Sequence, residues 1–130
     1  MKPKTTLTIT AFFGLVFSLV MFAAPEFITR EQFPNSEGQE FSDLVTVRYA
    51  IASLILALVI ITYHLRNIEG LAFQANIMRG YTLAFSVVCI TTIILQILGK
   101  ISAVPPIVGT GLVAALSFAS WRGLVKDSGQ

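Results

Sequence analysis

Few residues of this chain carry chemistry, and their scarcity defines the problem. Arg48 lies about one turn into an apolar stretch, where a cation is costly unless it finds a partner or reaches water, so it marks a candidate functional site. Gln96 and Lys100, one helical turn apart, are placed to share a polar pocket with Arg48 and its neighbour Tyr49. Such a set binds an anionic head group or a small acidic ligand through charge-assisted hydrogen bonds. The plainer alternative is a side chain that snorkels to the interface and pairs with Asp43 or Glu40.

His64 is the single histidine, so a bis-histidine haem within one chain is excluded. One axial imidazole for a chlorophyll, or for a haem shared with a second chain, is the remote cofactor role left to it, and an interfacial histidine in contact with water is the simpler reading. The single cysteine, Cys89, excludes an internal disulfide and a paired-thiol redox centre. Its neighbours Val88 and Ile90 make it a small buried hydrophobe. The acidic run Glu26, Glu31, Glu37, Glu40 and Asp43 offers oxygen ligands for a divalent cation but matches no defined calcium loop, and reads better as a solvated acidic face. With no nucleophile beside a base, no metal-ligand set and no carboxylate dyad, the chain is not read as an enzyme, and no cofactor is expected beyond a lipid or quinone.

The elements that position these residues follow from composition. Of 130 residues, 55% are hydrophobic and 12% charged. The charged share is about half the roughly 25% of a soluble domain. Mean hydropathy is +0.77. Nine Lys and Arg against seven Asp and Glu, scattered along the chain, make no basic field, so nucleic acid is excluded as a partner. Four stretches approach the roughly 20 apolar residues that a helix needs to cross a bilayer. They run over 5–24, 44–65, 80–99 and 101–121, and predict an all-α, four-helix transmembrane bundle in one domain. The loop 25–43 contains a short amphipathic segment that should stop before the turn cluster at Pro34 to Gly38. The first stretch is too long for a signal peptide and lacks a well-registered cleavage pattern, so it is expected to be an uncleaved anchor.

Packing in lipid relies on small side chains that let backbones approach. Gly111, Ala115 and Ala119 form such a ridge at four-residue spacing, either as an interface to partner subunits or another copy, or as packing inside the bundle. No internal repeat is visible, and the first stretch has no acid of the kind that small multidrug transporters need.

Gly14-Leu-Val with Pro25-Glu26, Arg48-Tyr-Ala, and Leu98-Gly-Lys-Ile-Ser102 before a proline turn together resemble the DoxX-like small four-helix membrane proteins. The resemblance spans most of the chain in short elements and implies a fold more than an activity. Ala50 to Ser53 replace the paired glycines of that pattern, and Lys100 stands where it has arginine. The functional expectation is a non-catalytic membrane subunit or accessory protein; the alternative is a carrier or a lipid- or quinone-handling protein using the pocket at Arg48.

Orientation follows from the cations, which are retained on the cytoplasmic side. Lys2, Lys4, Arg66, Arg79, Arg122 and Lys126 flank one side, and Arg30, Arg48 and Lys100 the other. Both termini are therefore expected in the cytoplasm, of a bacterial inner membrane, with loop 25–43 outside. In a cysteine-free background, a membrane-impermeant thiol reagent applied outside should label Ser36→Cys and spare Ser128→Cys; the reverse pattern overturns the orientation.

Overall fold

The computed structural model describes residues 2–127, so Ser128 lies outside the described residues. The chain is helical throughout: α1 (Pro3–Ala23), α2 (Pro25–Gln32), α3 (Gly38–Leu65), α4 (Leu71–Ile97) and α5 (Val104–Asp127). All but α2 are long and apolar enough to cross a membrane. The short amphipathic segment is α2, and it ends before Pro34.

Helix boundaries depart from the sequence expectation where charge was taken for a helix end. The second long helix starts at Gly38 rather than Leu44, taking in the charged turns at Glu40 and Asp43. The third starts at Leu71 rather than Gly80, with Arg79 inside it. The fourth runs from Val104 through Asp127 rather than from Ile101 to Trp121. Hydropathy marks where a helix leaves hydrocarbon, and the hydrogen-bond ladder continues into water.

Proline and glycine set the breaks. Ala24 precedes Pro25, whose ring disfavours helical backbone at the residue before it, so α1 stops there. Pro25 then occupies the first turn of α2, where its missing N–H is harmless. At the end of α4, Gly99 takes φ +67°. Its N–H reaches the Gln96 carbonyl, and the Lys100 N–H reaches that of Leu95, both at 3.0 Å. This paired pattern closes the last carbonyls of the helix and requires a left-handed residue, which glycine supplies without strain.

Helix α1 is central. It packs along α3 and touches α2 and α5, while α5 packs along α4. One end of the bundle gathers α2 and the α4–α5 turn, linked by the Ser102 N–H to the Gln32 carbonyl at 2.9 Å. The other end holds the apolar core, where Leu7, Met78 and Leu124 meet Leu65, Tyr81 and Trp121. There Thr62 and Tyr81 share a hydroxyl hydrogen bond that ties α3 to α4.

Burial is inverted relative to a water-soluble domain. Among the described residues the buried set includes Thr6, Thr10, Ser18, Arg48, Ser117 and Ser120, while Leu54, Val87, Ile90 and Phe12 are exposed. Lipid solvates the outward apolar side chains, leaving hydroxyls and small residues to join helices. Thr6 and Ser120 hydrogen-bond across α1 and α5, and Ser18 donates to the Ala52 carbonyl on α3 at 2.8 Å.

Gly14 lets α1 lie close against α3: a Cβ there would stand 2.6 Å from Cγ2 of Val59. Valine is stiff at χ1 and cannot easily swing away. Gly14→Ala should therefore destabilise the bundle by about 1–3 kcal/mol, as overpacking does. Val59→Ala in the same chain should restore most of the loss, and Gly80→Ala, with nothing within 4 Å, should not show it. Thermal unfolding in one detergent compares the three.

Candidate functional site

Arg48 is turned inward. It is 5% exposed, and its Nε donates to Oγ1 of Thr29 over 3.3 Å. The Thr29 hydroxyl in turn donates to the Pro25 carbonyl one turn earlier on α2, at 2.8 Å. The guanidinium carbon also stands 5.6 Å from the centre of the Phe33 ring. The two contacts to Arg48 explain why α2 lies against α3: the proline break returns the chain so that Thr29 and Phe33 meet the cation. No carboxylate of the described residues comes within ion-pair distance of Arg48, and Asp43 instead accepts from Gln39 Nε2 at 2.8 Å.

Gln96, Lys100 and Tyr49 are placed separately from that contact. The Gln96 side chain serves the α4–α5 connection, its Oε1 accepting the Ala103 N–H at 3.2 Å. Lys100 lies in the wall of a cleft of about 320 Å³ that runs between residues 32–36 with Glu40 on one side and Gly99 to Ser102 on the other. Phe33 belongs to both places: it lines this cleft and faces Arg48. Tyr49 is exposed, its ring 6.3 Å from that of Phe22.

The ridge on α5 divides. Gly111 faces Cys89 on α4, where a Cβ would meet the sulfur at 3.5 Å, whereas Ala115 and Ala119 are exposed. Cys89 is half-buried and its Sγ lies 3.6 Å from the Ile107 carbonyl. His64 is exposed beside Tyr63, and among the described residues no group of three His, Cys, Asp or Glu is close enough to hold a metal ion.

Two features escaped sequence reasoning. Thr29 and Phe33 are the partners of Arg48, and the available signal was the proline that forces α2 back along the chain. The other is the part that hydroxyls play on the packing face of α1: the buried Thr6 and Thr10 continue, at four-residue spacing, the small-residue pair Gly14 and Ser18 that the sequence itself offers.

Comparison with known proteins adds no assignment: no protein-family model, no curated protein and no solved structure matches the chain.

The Gln96 contact yields a test. Ala103 is fully buried, and an unpaired buried N–H costs about 1–3 kcal/mol. Gln96→Leu should lower stability by that amount in a thermal melt. Gln96→Glu, which keeps an acceptor oxygen, should lower it less.

Proposed function

We propose that this chain is a non-catalytic integral membrane protein that acts by lateral association, as an accessory subunit of a larger membrane assembly or as a homo-oligomer. The observation that supports it is the split ridge of α5. The bundle buries Val113, Ser117, Ser120 and Leu124, and leaves Ala115 and Ala119 open. Small exposed residues one turn apart permit a helix from another chain to approach closely, which is how association is achieved in lipid. The cation distribution supports an inner-membrane orientation with both termini cytoplasmic, and the likeness to DoxX-like proteins belongs to the same proposal.

A second reading, a carrier or a lipid- or quinone-handling protein, is favoured by the burial of Arg48 without a carboxylate partner.

Ala115→Leu separates lateral association from internal packing. In gently solubilised membranes the substitution should shift native-gel or native-mass species toward the monomer, while the melting temperature of the monomer stays near that of the parent. Loss of folded protein with no change in the assembly pattern counts against the proposal.

A further inference from the structure

The end of the bundle that holds the apolar cluster also carries a crevice of about 10 Å³. It is lined by Lys4 from the first turn of α1 and Arg66 at the close of α3, together with Leu7, Leu65 and Met78. No carboxylate lines it, and its other polar side chain, Gln74, donates its amide to the Ile68 carbonyl at 3.0 Å. Among the described residues neither cation has an ion-pair partner. Arg66 is also held in place: its guanidinium carbon stands 3.7 Å from the centre of the Tyr63 ring, one turn earlier on α3, a stacking distance. Its Nε is sealed and has no acceptor, while its terminal nitrogens are neither sealed nor hydrogen-bonded to protein and stay open to an incoming acceptor. A space of this size admits one oxygen-sized atom, about a single water, so a ligand can enter it only by one oxygen of a group that remains outside. Lys4 and Arg66 stand where α1 begins and α3 ends, both helices long and apolar enough to cross a bilayer. Helix ends of this kind lie at the level of the lipid head groups, where phosphate oxygens are the abundant anionic acceptors.

We propose that Lys4 and Arg66 form a docking point for the phosphate of an anionic phospholipid, one of whose oxygens enters the crevice, with Tyr63 holding the guanidinium flat. The planar fork of arginine matches phosphate oxygens, and lysine adds a point charge beside it. Two cations with no carboxylate between them favour a head group that brings no cation of its own. The site is separate from the Ala115 face of α5, so its failure leaves lateral association standing, and the converse holds.

The test uses the full chain in detergent micelles holding phosphatidylglycerol and phosphatidylcholine in equal amounts, with native mass spectrometry reading which lipid stays bound. The parent should retain phosphatidylglycerol in preference to phosphatidylcholine. Arg66→Gln should cut that preference about tenfold, the scale of one charge-assisted hydrogen bond. Arg66→Lys should recover only part of it, because the charge returns without the fork. Lys4→Gln should cut it about fivefold, the scale of one cation near a lipid surface. Lys4 is exposed, so this variant decides the matter if Arg66→Gln fails to fold. Arg79→Gln removes an exposed cation of α4 that does not line the crevice and should leave the preference unchanged. A parallel arm adds inorganic phosphate to protein in phosphatidylcholine alone. A thermal shift there that Lys4→Gln and Arg66→Gln abolish, with no lipid preference in the first arm, assigns the site to free phosphate and overturns the lipid part. Equal retention of both lipids together with no phosphate shift leaves the crevice to water and overturns the site, and so does an equal loss of preference in Arg79→Gln and Lys4→Gln, which reports diffuse attraction.

Discussion

In hydrocarbon, burying an apolar side chain against another helix gains little, because the lipid tails it leaves are equally apolar. Cohesion then rests on close backbone approach and on hydrogen bonds between helices, and this constraint shapes the whole molecule. Gly14 against Val59 brings α1 and α3 together, Ser18 and the Ala52 carbonyl hold them, and Thr6 with Ser120 joins α1 to α5. The apolar cluster around Met78 is confined to one end, where Thr62 and Tyr81 add a polar tie. Helix α1 is the hub because its inner face carries these small and hydroxyl groups in register.

The register continues past the first hydrogen bond. Thr10 lies one turn beyond Thr6 on α1, and Ser117 one turn before Ser120 on α5. Both hydroxyls are buried without a protein partner, unlike those of Thr8, Thr62, Thr82 and Thr92, which donate to carbonyls one turn earlier. Helices α1 and α5 thus each bury a second hydroxyl beside the pair that joins them, whereas α1 and α3 meet through the close approach at Gly14 and the Ser18 hydrogen bond.

How much of this was legible in the sequence depends on the range of the interaction. The four long helices were legible because roughly 20 apolar residues have no other stable use, and α2 because proline, alternating polarity and a turn cluster are local signals. Helix starts at Gly38 and Leu71 were not, since charged residues end a hydrophobic run without ending a helix. The candidate site was legible as single residues only. Arg48 stands out as an intramembrane cation, but that it meets Thr29 and Phe33, while Gln96 turns to Ala103, depends on how α2 and the α4–α5 turn fold back, and no spacing in the chain encodes that.

The lengths of the helices bear on the bilayer itself. With 1.5 Å of rise per residue, the 21 residues of α1 span about 32 Å, against about 42 Å for the 28 of α3 and about 40 Å for the 27 of α4. The central helix thus matches a hydrocarbon layer of about 30 Å with almost nothing to spare, while its neighbours have whole turns in reserve. Thickening the membrane would strand the ends of α1 before those of any neighbour, and tilting cannot help a helix already at its limit. Hydrophobic mismatch therefore falls on the one element that packs against α2, α3 and α5 alike, which makes bilayer thickness a variable to which this bundle is mechanically coupled.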